Sequence, residues 1–273
     1  MTTINVAAGQ FPASVEWTEN LEASTALIEQ SEKEGHDLLV LPEGILARFT
    51  DDFARIRAAA QPLDGPFVRG LASITAGKHV TVVLGIHETS QTSRPYNTLV
   101  ALRDGEIIGV YRKLHLYDAF TGNESDNVTA ADVVPPLIDV NGLKVGLMTC
   151  YDLRFPELAR LLALDGADLL VLPAAWVRGP LKEHHWQTLV TARALDNTVY
   201  VVASGESGPR NIGQSMIVDP MGTVLAQAAE DTCLISASAS TTRVASVRDR
   251  LPVLKHRRFD VDMRARPPEP ITH

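Results

Sequence analysis

Cysteine is scarce: two residues, Cys150 and Cys233, in a chain of 273. That excludes a disulfide framework, and their spacing does not resemble paired zinc ligands. Positive charge is also short, with 25 Lys and Arg against 33 Asp and Glu, a net charge of −8 and a pI near 5.5. A nucleic-acid footprint needs a basic excess, so nucleic acid is not an expected partner. No apolar run reaches the length of a membrane span, and the opening MTTINVAAGQFPAS lacks a basic segment followed by an apolar core. The expectation is a cytoplasmic protein in a reducing compartment, without a membrane partner. With 45% hydrophobic and 21% charged residues, the composition is that of an ordinary globular chain.

What is present is alternation. Short runs rich in Val, Ile and Leu are separated by longer amphipathic segments, which predicts mixed strands and helices in one domain over 1–273, with 252–273 as a C-terminal extension. Strands are expected at 4–8, 37–42, 80–87, 97–102, 106–111, 144–150, 168–173, 199–204, 214–219, 223–228 and 233–237. Helices are expected at 19–34, 65–78, 156–164, 183–197 and 241–251. Arg103-Asp104-Gly105 and Asp219-Pro220-Met221-Gly222 read as tight hairpin turns.

One segment occurs twice. DLLVLP stands at 37–42 after Gly35-His36 and again at 168–173 after Gly166-Ala167, each following a helical stretch whose exit the glycine suits. Strands that are apolar on both faces belong in a sheet covered on both sides, which points to two sheets packed together with helices outside. Chance similarity between two buried strands is the plainer alternative. After the proline the copies diverge: the first continues to Glu43, the second to Ala174. A carboxylate at the end of a buried strand is costly unless it is paired or used, so Glu43 is a candidate site residue, with a structural ion pair as the alternative.

Cys150 closes the run KVGLMTC and is followed by Tyr-Asp-Leu-Arg-Phe and then Pro156, a residue suited to the first turn of a helix. The sulfur therefore sits at a strand-to-helix turn, where the N–H of Tyr151 is free to face an oxygen that becomes negative. A thiol is mostly protonated at neutral pH and needs a base or a cation beside it. His115, His184 and His185 are possible bases; Glu43 together with Lys113 is another solution. A buried structural thiol and a solvated lysine are the alternatives for Cys150 and Lys113.

LPEG at Glu43, YRKLHLYDAF at Lys113 and VGLMTCYDLRFPEL at Cys150, in this order, resemble the carbon–nitrogen hydrolase (nitrilase) superfamily. The likeness extends from INVAAGQF through GQSMIVDPMGTVLA to RDRLPVLKHRRF. Within that superfamily the chain is most similar to the deaminated glutathione amidases of bacteria, with ω-amidases next; Tyr151-Asp152 stands where nitrilases proper have Trp-Glu. The resemblance implies a four-layer α-β-β-α sandwich, a homodimer, and a Glu43-Lys113-Cys150 triad. Glu124 is implied as a supporting glutamate, the Tyr151 N–H as an oxyanion donor, and no metal or organic cofactor is required. It also implies hydrolysis of a linear amide through a thioester. The substrate would be deaminated glutathione, giving 2-oxoglutarate and cysteinylglycine, or else α-ketoglutaramate, giving ammonia.

Both substrates carry carboxylates, so an acidic protein needs local cations to hold them. The loop WVRGPLKEHHW offers Arg178 first, then Lys182, His184 and His185; Arg48 is a further candidate. A solvated basic loop is the plain reading of the same residues. Arg154 is expected to hold the turn after Cys150 by ion pairing. Three other readings remain at this point: a Cys-His-acid hydrolase using His185 or His115, a metal hydrolase using His184 and His185, and a non-catalytic binding or scaffold relative.

Overall fold

The computed structural model describes residues 2–49, 52–120 and 123–262. The part of the C-terminal extension at 263–273 lies outside the described residues. Two six-stranded sheets carry the fold. The first comprises β1 (Thr3–Gln10), β2 (Leu38–Val40), β3 (Thr81–Glu88), β4 (Tyr96–Arg103), β5 (Glu106–Arg112) and β12 (Cys233–Ser240), in the order β12-β1-β2-β3-β4-β5. The second comprises β6 (Ile138–Val140), β7 (Leu143–Leu147), β8 (Leu169–Ala174), β9 (Tyr200–Gly205), β10 (Met216–Val218) and β11 (Val224–Gln227), in the order β11-β10-β9-β8-β7-β6.

Side chains alternate along each central strand, so a strand buried on both faces feeds two cores. Val6 and Ala8 of β1 join Val145, Leu147 and Leu169 of the second sheet in the core between the sheets. Ala7, between them, instead packs with Leu27 and Ile28 of α1 (Trp17–Lys33) and with Phe67 and Leu71 of α3 (Pro66–Thr75). The outer face of the second sheet is covered by Leu158 and Leu162 of α4 (Pro156–Leu164) and by Trp186 and Val190 of α5 (Lys182–Asn197). These layers form the four-layer α-β-β-α sandwich.

The repeated segment proves to be a repeated unit. Strand β1 leads through α1 into β2, its parallel neighbour, and β7 leads through α4 into β8 in the same way. Both helices end alike. Gly35 N–H donates to Glu32 O and His36 N–H to Ser31 O; Gly166 N–H donates to Ala163 O and Ala167 N–H to Leu162 O. This pair of bonds needs a left-handed residue at the exit, and the glycines supply it with φ of 74° and 106°. Each unit is central to its own sheet, and the two sheets face each other.

Three departures from the sequence expectation bear on the site or its surroundings. The run at 144–150 is a strand only to Leu147, and Cys150 opens a turn of 3₁₀ helix, Cys150–Arg154, because the chain must leave the sheet to expose the sulfur. The short strand β6 and the helix α2 (Phe53–Ala59) were not anticipated, since three and seven residues are too few for a periodicity to emerge. The segment after α6 (Thr241–Arg250) holds one further helical turn, α7 (Val253–His256).

Candidate active site

Glu43, Lys113 and Cys150 converge. All three line a cavity of about 490 Å³, each just past the end of a strand. Glu43 follows β2, Lys113 follows β5, and Cys150 follows β7, so the first sheet supplies the carboxylate and the ammonium while the second supplies the sulfur. Gly85 of β3 lets the Glu43 backbone come close: a Cβ there would lie 2.7 Å from Glu43 Cα.

The Lys113 ammonium is 2% exposed and bridges two carboxylates, at 3.0 Å to Glu43 Oε1 and 2.9 Å to Glu124 Oε2. An ammonium has three protons, so one remains for another acceptor. Glu43 Oε1 also accepts from Asn97 Nδ2 at 2.7 Å, and its Oε2 accepts from the Ala175 backbone N–H at 2.9 Å. Glu43 stands one residue past the first copy of the repeat and Ala175 two residues past the second. The ends of the two units are thus hydrogen-bonded across the seam between the sheets.

Glu124, expected as the supporting glutamate, joins the cluster from a short 3₁₀ turn at Glu124–Asp126. It accepts from Lys113, from Asn97 Nδ2 at 3.0 Å and from the Tyr117 N–H at 2.7 Å. Asn97, which holds both glutamates with one amide, was not singled out in the sequence. Its only signal there is a polar side chain opening the apolar run NTLVAL.

Cys150 has a φ of 45°, a left-handed conformation that costs a side-chain-bearing residue about 1–3 kcal/mol. Its neighbours hold it there. Asp152 accepts from the Thr149 N–H at 2.9 Å, from Tyr111 Oη at 2.6 Å and from His115 Nδ1 at 2.7 Å. Thr149 Oγ1 donates to Pro173 O at 2.9 Å, and Arg193 Nε donates to Leu153 O at 3.0 Å. Tyr151 is the second residue of the turn, where a backbone N–H has no acceptor within the helix.

Electrostatics sets the resting protonation. Burial pushes Glu43 up, but Lys113, Arg48, the neighbouring Cys150 thiol and the Ala175 N–H outweigh it and hold the carboxyl at about 2. Burial and the Glu43 charge push the Cys150 thiol up, against the pull of Lys113. Lys113 is held well above the usual range despite its burial, by Glu124 and Glu43. The resting site is therefore carboxylate, ammonium and thiol. His87, also in the cavity wall and also missed in the sequence, is lowered to about 4 by burial and by Arg48, which makes it neutral at pH 7.

Acid lability follows from two of these groups. His87 titrates at 6.5 unfolded and about 4 folded, so the folded state binds fewer protons in that interval and loses stability as pH falls through it. Glu43, at 4.5 unfolded and about 2 folded, continues the loss from 4.5 down to about 2. Melting temperature is expected to fall on acidification from below pH 6.5, and His87→Gln should flatten only the upper part of that decline. An unchanged slope between pH 6.5 and 4 in the variant would assign the effect to other groups.

The remaining candidates divide. Arg178 does not line the cavity: it points to Glu183 at 3.8 Å, and its N–H donates to Arg210 O. His185 is also outside the wall, with Nδ1 3.3 Å from Arg154 Nη2, and His184 lies beside it, the ring centroids 6.4 Å apart. The reason is local, because α5 begins at Lys182 and turns the residues after it away from the site. Arg154 forms no ion pair among the described residues, contrary to the expectation; its guanidinium lies over Trp176, 4.9 Å from the ring centroid. His115 is held by Asp152 and stacked on Phe155 at 3.8 Å, away from the cavity wall. Arg48 does line the cavity, but it is bound to Glu206 at 2.7 Å and to the Glu43 carbonyl at 2.7 Å. Lys182 lines it as well. Cys233 lies on β12, half-buried and outside the cavity.

Comparison with known proteins gives a consistent picture. Residues 5–249 match the family model for carbon–nitrogen hydrolase. The chain is 52% identical over 254 residues to deaminated glutathione amidase of Escherichia coli O157:H7, covering 93% of this chain and 97% of that protein. It is 35% identical over 261 residues to omega-amidase NIT3 of Saccharomyces cerevisiae, covering 89% and 88%. The crystal structure of Saccharomyces cerevisiae Nit3, described as a member of branch 10 of the nitrilase superfamily, superposes with a TM-score of 0.84 at 30% identity, over 94% of this chain and 97% of that one.

Proposed function

The chain belongs to the carbon–nitrogen hydrolase family, and from that membership we propose a cysteine-dependent amidase that cleaves deaminated glutathione into 2-oxoglutarate and cysteinylglycine. The observation that carries the chemistry is the convergence of Glu43, Lys113 and Cys150 on one cavity. The similarity to a deaminated glutathione amidase carries the substrate.

In this reading the Cys150 sulfur attacks the amide carbon while Glu43 takes the thiol proton. Because the thiol is raised and Glu43 is lowered, the proton moves as the C–S bond forms and not before. The carbonyl oxygen becomes an oxyanion, received by the third Lys113 proton and the Tyr151 N–H. Glu43 returns the proton to the amide nitrogen, the C–N bond breaks, and the amine departs, leaving a thioester on Cys150. Glu43 then accepts a proton from water, whose oxygen attacks the thioester and frees the acid and the thiol. Glu124 and Asn97 keep Glu43 and Lys113 in register through these steps. No step calls for a metal or an organic cofactor.

The catalytic unit is one domain built from both sheets. A reducing cytoplasm suits a thiol nucleophile, and no helix among the described residues is long and apolar enough to cross a membrane. A homodimer is part of this reading and is carried by the family resemblance; Leu195 on α5, Met221 in the β10–β11 turn, and Val224 and Leu225 on β11 are exposed apolar side chains available to an interface.

Product analysis of purified protein tests the function. Deaminated glutathione is expected to yield 2-oxoglutarate and cysteinylglycine in equal amounts, with kcat/KM at least about 10-fold above that for α-ketoglutaramate, a discrimination of about 1.4 kcal/mol. The reverse order would make this an ω-amidase. A nitrile preferred over both would overturn the amidase branch, and intact amides with no acyl adduct on Cys150 would leave a binding or scaffold protein.

A further inference from the structure

Four lysine or arginine residues line the cavity, Arg48, Lys113, Lys182 and Arg210, and the partners of the first three differ in kind. Lys113 lies between Glu43 and Glu124, and Arg48 is bound by Glu206. Lys182 is 4% exposed, yet no carboxylate among the described residues reaches it. Its Nζ lies over three rings, 4.7 Å from the centroid of Trp176 and 5.0 Å from those of Tyr117 and Phe120, with Tyr117 Oη at 3.4 Å. A buried ammonium is expensive without a counter-charge, and aromatic faces return only about 0.5–2 kcal/mol each.

The cation is held in place nonetheless. Trp176 Nε1 donates to Lys182 O at 2.9 Å, and the Lys182 N–H donates to Gly179 O at 3.1 Å. Tyr117 is tied to the catalytic cluster through its N–H bond to Glu124. Burial lowers the proton affinity of Lys182, so an incoming anion finds an ammonium that has already lost most of its water.

We propose that Lys182, in its cage of Tyr117, Phe120 and Trp176, seats a free carboxylate of the substrate and so sets the preference of the cavity for acidic amides. This rests on the amidase reading above and gives it a specificity residue. A carboxylate supplies the missing counter-charge at little desolvation cost on the protein side. A neutral amide would leave the buried ammonium unpaired and is rejected for that reason. The role assigned to Arg178 in the sequence thus passes to a neighbour four residues on, which α5 places at the cavity.

Two measurements decide it. In the first, Lys182→Met, which keeps a similar stem against the rings, is compared with the unsubstituted protein on deaminated glutathione and on its 2-oxo-acid ester and glycine amide derivatives. A loss of about 100-fold in kcat/KM, carried mainly by KM, is expected on the free acid. Whichever neutralised derivative loses less than about 3-fold identifies the carboxylate that Lys182 holds. Equal losses on all three substrates, or no loss on the free acid, would overturn the proposal. In the second, deaminated glutathione is titrated calorimetrically into Cys150→Ala and into Cys150→Ala/Lys182→Met, with melting temperatures confirming that both are folded. Binding should weaken at least about 30-fold in the double variant; equal binding, or no binding to Cys150→Ala, would overturn the proposal. Because this arm needs no turnover, it decides the role of Lys182 even if the protein hydrolyses no amide.

Discussion

Glu43→Gln is expected to lower kcat by about 10³-fold or more with only a modest change in KM, the range associated with losing a positioned general base. The substitution is nearly isosteric, but it fails twice. Glutamine cannot take the thiol proton, and it brings an NH2 group to a place where every neighbour donates: Lys113 Nζ and Asn97 Nδ2 to one oxygen, the Ala175 N–H to the other. One donor must lose its acceptor in any orientation of the amide. Steady-state rates on deaminated glutathione check the expectation, and circular dichroism confirms that the variant is folded. A variant retaining a tenth or more of the activity would move the base to a histidine. The three histidines considered from the sequence, His115, His184 and His185, all lie outside the cavity wall. Among the described residues His87 is the one histidine in the cavity wall, and it is neutral and buried.

Lys113→Met has the larger effect on the fold. Removing the ammonium leaves Glu43 and Glu124 sharing the Asn97 amide without the cation that bridges them, and Arg48 is left as the cation acting on Glu43. Deleting one partner of a buried charge cluster costs about 3–5 kcal/mol, which urea unfolding will read directly. Part of the cost is relieved if Glu43 takes up a proton, since the largest of the attractions that hold it near 2 is gone. The acid limb of any remaining activity should therefore move to higher pH, and kcat should fall by about 10²–10³-fold from the lost oxyanion donor alone. Loss of stability with kcat intact would reduce Lys113 to a structural ion pair and remove it from the chemistry.

The sequence was most legible where one residue had one local reason. Gly35 and Gly166 marked helix exits, Pro156 marked a helix start, and the two DLLVLP runs marked strands with two buried faces, which together implied stacked sheets. The triad and Glu124 came from motif resemblance, and the structure brings their side chains within reach of one another. Asn97 and His87 escaped notice because nothing within their own strands distinguishes a site residue from a buried polar one; their role exists only once β3 and β4 are aligned beside β2. Arg178 and Lys182 were confused for a related reason. Both belong to one basic loop, and the direction each side chain takes is set by where α5 starts, a boundary that local pattern fixes only to within a few residues.

The hydrogen bond from the Ala175 amide to Glu43 joins the termini of two look-alike β-α-β modules that never exchange a strand. Neither module alone carries a complete set of reactive groups, since one offers an acid without a nucleophile and the other a nucleophile without an acid. Turnover is in that sense a readout of how the halves are aligned, and a slip of about 1 Å between them is enough to cost about 100-fold in rate while each half stays intact.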